Sequence, residues 1–132
     1  MSTNKYTIEV EKYAERHYIK KFKKKYKSKW DLTFRSIEEE FKRLESLFET
    51  SIAEKIHEKG DIIIAKTEFR VAGTKQAKKS SGNRCVIAIH QDTQIVKILL
   101  IYHKNDLLGN GSETAKWKRI IKENYREYGD LV

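Results

Sequence analysis

The first regular pattern in the chain is an alternation. Tyr6, Ile8 and Val10 fall on one face of residues 5–11, with Thr7, Glu9 and Glu11 on the other. Period two predicts a half-buried strand. Further along, the period changes to that of a helix. Tyr18, Phe22, Tyr26 and Trp30 recur at every fourth position with Ile19 beside them, the stripe of an amphipathic helix. A second stripe, Phe34, Ile37, Phe41, Leu44 and Phe48, steps by three and four and predicts a second helix, with Ser28 or Asp31 as its cap. Residues 51–60 read as a two-turn extension of that helix, stopped by Gly60. A short connection between two amphipathic helices predicts an antiparallel pair.

The second half reads differently. Residues 61–71 (DIIIAKTEFRV) are rich in β-formers, and 73–83 (GTKQAKKSSGN) are basic and loop-like. Residues 84–89 and 95–102 are Val/Ile-rich strands. Only HQDTQ lies between them, so they form an antiparallel hairpin. The segment LLGNG breaks the pattern. Ser112 then caps a last helix that turns Trp117, Ile120, Ile121 and Tyr128 inward. The predicted order is β-α-α-β-β-β-α. This is an α+β fold, a small and mostly antiparallel sheet with two N-terminal helices and one C-terminal helix. The length of 132 residues predicts a single domain over 1–132.

Charge adds a partner class to this picture. Lys and Arg number 28 against 19 Asp and Glu, a net charge of +9. Between Arg16 and Lys29 there are eight Lys/Arg and no acid. Lys20, Lys21, Lys23, Lys24, Lys25 and Lys27 therefore form a cationic face suited to a phosphate backbone. The competing reading is a solvated helix face. The aromatics between these lysines keep helical spacing, so they are core and not base-stacking platforms. Cys85 is the only cysteine and lies within an apolar run. No disulfide is then expected, and the cytoplasm is the natural compartment. No secretory leader and no apolar run long enough for a membrane span are visible. The sequence has no HExxH, no paired cysteines, no Walker loop and no GxGxxG, so neither a metal nor a small-molecule cofactor is expected.

Candidate chemistry gathers at strand ends. Lys75, Lys78 and Lys79 precede Ser80-Ser81-Gly82, and Arg84 opens the next strand. A guanidinium grips a phosphate bidentately and stabilises charge that grows during displacement at phosphorus. Against this stands a surface loop with solvated lysines. The last strand ends in Tyr102, His103, Lys104 and Asn105. These types offer base stacking, acid–base work near neutral pH and phosphate binding, although a lone strand-end histidine is more often structural. His90 shares a strand face with Arg84 if the strand is regular. His17 and His57 fall in helical stretches with no partner pattern.

The stretch KKSSGNRCVIAIHQDTQIVKILLIYHKND resembles the sheet core of RelE-type toxins of the RelE/ParE toxin–antitoxin superfamily. Those proteins carry a turn and strand opened by arginine, then a strand ending in a lysine motif. The predicted order of elements is also the order of that fold. The resemblance implies a ribosome-dependent endoribonuclease that cuts mRNA in the A site by metal-independent attack of the 2′-hydroxyl. It implies a cognate antitoxin and the ribosome with its mRNA as partners. By motif position Arg84, Lys79, Lys78 and Lys104 match the family's basic residues, with Tyr102 and His103 beside them as candidate catalytic groups. Lys75 and the helix lysines then fall to RNA or ribosome binding. Asn83 stands where an aromatic is common, and Asn105 where some members have a second arginine. Two alternatives share these features: a ParE-like inhibitor of DNA gyrase, and an RNA-binding module without catalysis.

Overall fold

A computed structural model describes residues 5–132. Strand β1 (Thr7–Val10) leads into a helical run made of α1 (Lys12–Ala14), a π-type turn (Glu15–Ile19) and α2 (Lys20–Tyr26). Lys27 then takes φ 54° and ψ −123°, a backbone shape that favours glycine. That residue swings the chain into α3 (Ser28–Lys42), so neither Ser28 nor Asp31 acts as the expected cap. The second helix also ends earlier than its stripe predicts. Arg43 leaves helical geometry, and a short α4 (Leu44–Phe48) follows.

Residues 51–60 correct the sequence reading. They form β2 (Ala53–Lys59), not a helical extension, and His57 lies in that strand. The cause of the misreading is a bulge. Pairing to the next strand jumps between Lys55 and His57, leaving Ile56 as an extra residue. A bulge shifts the phase of alternation, so Ala53 and Ile56 mimic helical spacing. Thr50 closes the preceding turn, its Oγ1 donating to the Leu47 carbonyl at 2.6 Å. Gly60 does stop an element, but it is a strand. With φ +61° it opens a two-residue hairpin, and Lys59 pairs with Ile62.

Strands β3 (Ile62–Phe69), β4 (Asn83–His90) and β5 (Ile95–His103) follow as expected. The sheet order is β1-β5-β4-β3-β2. β1 runs parallel to β5, and every other pair is antiparallel. The architecture is α+β with a five-stranded, mostly antiparallel sheet, one strand more than the sequence predicts. The N-terminal helices cover one sheet face. There Phe22 stacks on Trp30 at 4.6 Å, and both rings reach Phe69 of β3. A last helix, α5 (Glu113–Asn124), covers part of the other face. Ser112 caps it as expected, its Oγ accepting from the Ala115 N–H at 3.1 Å. Trp117, Ile120, Ile121 and Tyr128 are all buried, and the Tyr128 hydroxyl meets His90 at 2.7 Å. Cys85 is fully buried, and that burial pushes its thiol pKa up.

Among the described residues no helix is long and apolar enough to cross a membrane.

Candidate active site

Strand register decides which side chains meet. Arg84 of β4 stands opposite Glu68 of β3 and opposite Tyr102 of β5. Directly opposed residues share a face, so Glu68, Arg84 and Tyr102 form one row across three strands. Lys66, two residues before Glu68, points to the same side. This is the face over which α5 begins.

The row converges on one atom. Glu113, the first residue of α5, accepts a hydrogen bond from the Tyr102 hydroxyl through its Oε2 at 2.9 Å. Arg84 Nε lies 3.4 Å from the same oxygen and Lys66 Nζ 3.9 Å from it. The Arg84 and Lys66 side chains are only 13% and 19% exposed, so water and salt screen them less than surface cations. Tyr102 is fully buried. Burial first, and then the Glu113 carboxylate, push its pKa far above the ordinary tyrosine value. It is therefore a neutral donor at working pH. Glu68 Oε2 is buried with no hydrogen-bond partner among the described residues.

His103 lies on the opposite face. It pairs with Asn83, one step along from the Arg84–Tyr102 pair. Its Nδ1 accepts from the Asn105 N–H at 3.1 Å, which in the neutral ring puts the proton on Nε2. The ring packs against Gly82, whose φ is +82°. A Cβ there would lie 2.6 Å from His103 Nε2, so only glycine fits. Asn83 and His103 line a small cleft with Lys21, Lys25 and Tyr26 of α2. Tyr18 lines it too, with its pKa pushed up to about 12 by burial and then by Tyr13.

The loop 70–82 is pinned at both ends. Thr33 Oγ1 of α3 accepts from the Ala72 N–H at 2.8 Å. The buried Ser81 hydroxyl has the Phe69 and Lys78 carbonyls in reach as acceptors of its one proton, and accepts from the Asn83 N–H at 3.0 Å. Lys78 reaches Glu40 of α3 at 3.2 Å, on the side of the N-terminal helices. Lys75, Lys79 and Lys104 are exposed. Lys20, Lys21, Lys23, Lys24, Lys25 and Lys27 are exposed as well, and Lys23 pairs with Glu15 at 3.0 Å.

Of the residues singled out in the sequence, Arg84 and Tyr102 are brought together at Glu113, while His103 is brought to a separate cleft with Asn83, Lys21 and Lys25 on the opposite face. Lys66, Glu68 and Glu113 join Arg84 and Tyr102 without having been among the expected site residues. A signal for the first two exists in IIIAKTEF: Ile62, Ile64, Lys66 and Glu68 share a face that turns from apolar to charged. Glu113 carries no such signal, because an acid beside a helix cap reads as a response to the helix dipole.

No protein-family model matches the sequence, and no curated protein sequence matches it significantly. Among solved structures it is similar to a chain of the archaeal RelE–RelB complex from Pyrococcus horikoshii OT3. The TM-score is 0.50 at 15% identity, over 77% of this chain and 98% of that one. The chain has a RelE-type fold.

Proposed function

We propose that this protein is the toxin of a toxin–antitoxin pair, acting as a ribosome-dependent endoribonuclease on mRNA. The observation that carries this reading is the convergence of Arg84, Lys66 and the Tyr102 hydroxyl on a single anionic oxygen. Two cations and a neutral donor gathered around one oxygen suit a phosphate oxygen in the same place. The RelE-type fold supports the same reading.

In the proposed reaction the 2′-hydroxyl oxygen bonds to the adjacent phosphorus and the bond from phosphorus to the 5′ oxygen breaks. The products are a 2′,3′-cyclic phosphate and a 5′-hydroxyl. Glu68, the carboxylate in Arg84's row, accepts the 2′-hydroxyl proton, and the leaving oxygen takes one from water. Arg84 and Lys66 stabilise charge on the phosphate oxygens. Lys79, Lys104 and Lys75, with the exposed lysines of α2, hold flanking phosphates of mRNA or ribosomal RNA. The similar archaeal protein is solved with RelB. By analogy the partner here is an antitoxin that covers the cationic surface.

One observation favours a second reading, an RNA binder that leaves RNA uncut: Arg84 is already paired with Glu113. Mapping cleavage in a reconstituted translation system separates the two. We expect cuts that need the ribosome and that disappear in Arg84→Ala. Cuts at the parental rate in Arg84→Ala would falsify the nuclease assignment.

A further inference from the structure

We infer that Glu113 is a built-in competitor for the phosphate site, which RNA has to displace before the site can act. The inference rests on reading Lys66, Arg84 and Tyr102 as a phosphate-binding set. The Tyr102 hydroxyl already donates to Glu113 Oε2 at 2.9 Å, and Arg84 Nε and Lys66 Nζ are ion-paired with the same oxygen at 3.4 and 3.9 Å. A carboxylate oxygen and a phosphate oxygen ask for the same partners, charge-assisted N–H and O–H donors. Glu113 thus stands where the substrate's anion belongs.

The placement also makes displacement inexpensive. The Glu113 side chain is 25% exposed, so it has water to turn into. It is the first residue of α5, and the Ser112 cap bonds Ala115 and not Glu113. The helix is anchored further along by buried Trp117, Ile120 and Ile121. A rotamer change at Glu113 is therefore enough, and α5 stays docked. Without RNA, the same contact satisfies two half-buried cations and a buried phenol, groups that are costly to leave unpaired.

The consequence is a threshold. A single free phosphate competes poorly with a tethered carboxylate, because the tether gives Glu113 a high effective concentration. An RNA strand also held by flanking lysines competes well. The site is thereby closed to small anions and open to nucleic acid.

The test is binding without chemistry. The full chain, Glu113→Gln, and Glu113→Gln combined with Arg84→Ala are titrated with inorganic pyrophosphate and with a 2′-O-methyl RNA tetranucleotide. The Gln variant keeps an acceptor for Tyr102 and removes the charge. It should bind pyrophosphate about tenfold more tightly than the parent, and the added Arg84→Ala should abolish that gain. Equal or weaker binding by a folded Glu113→Gln would overturn the inference. If that variant does not fold, the parent decides by NMR. Saturating tetranucleotide should shift both the Arg84 Nε–H and the Glu113 carboxyl resonances, and two unmoved signals would sink the proposal. Tighter binding by Glu113→Gln with mRNA left uncut by every form would retain the competitor and reject the nuclease reading.

Discussion

The helix-covered side and the α5 side of the sheet hold cations in opposite ways. On the helix side the lysines of α2 are numerous, exposed and spread along the element. On the α5 side Arg84 and Lys66 are half-buried and lie within ion-pair distance of one carboxylate oxygen. An exposed lysine in water at physiological salt interacts weakly beyond a Debye length of about 8 Å. A shielded pair on a rigid sheet keeps its geometry and its field. The first arrangement suits capture of a polyanion in any register, and the second suits one phosphate in one position. Charge density along a sequence marks the first and is nearly blind to the second.

The largest expected effect lies on the α5 side. Arg84→Ala should lower ribosome-dependent cleavage by about a hundredfold or more, measured as rates from mapped cuts, with the melting temperature close to the parent's. A similar loss on substituting Lys21, Lys24 and Lys25 would break the comparison, because it would give the helix side the same precision of placement.

The next effect is on the fold and involves tyrosines of both faces. Tyr18, on the helix side, has its pKa raised from 10.0 to about 12, and Tyr102, on the α5 side, is raised further. A raised folded-state value means that the unfolded chain loses its protons first. The stability from these neutral phenols is complete below the unfolded value of 10.0 and falls as pH rises above it. Melting temperatures should be level up to that point and then drop. Tyrosinate absorbance from the buried Tyr18 and Tyr102 should appear with unfolding and not before it.

Gly82→Ala comes third. The new Cβ would press on His103 Nε2 at a positive φ, and about 1–3 kcal/mol of stability should be lost, read from denaturant unfolding. The strain falls on the His103 side, so the per-site cleavage rate of the folded fraction should change far less than in Arg84→Ala. An equal fall would show that the two faces are not separate.

The smallest effect is expected for Lys21, Lys24 and Lys25 changed together to Gln. RNA affinity should weaken without regard to sequence. The slope of log affinity against log salt should decrease by about 2–3, roughly one step for each lost phosphate contact. An unchanged slope would leave this face with no RNA contact from those lysines.

The strand alternation, the hairpin turn between β4 and β5 and the Ser112 cap were legible because each is a local pattern that one element satisfies by itself; the two stripes were legible as helix, but each runs across a break, at Lys27 and at Arg43. Burial of Trp117, Ile120, Ile121 and Cys85 followed from the same patterns. The strand at 53–59 was not legible, because the bulge at Ile56 moved its apolar residues to helical spacing. At the candidate site, Arg84 was visible as a cation opening a strand. Its true neighbours were not, since Lys66, Glu68 and Glu113 come from two elements remote in the chain. His103 and Tyr102 looked like one cluster, but consecutive strand residues point to opposite faces.

Sequence alone determined which residues could be apolar core, the type of most of the main elements, and that the chain is strongly basic, since these depend on local periodicity and composition. Tertiary structure alone decided which cations share a face and that one carboxylate faces them. Strand register and the docking of α5 set those distances, and both are long-range choices made by packing.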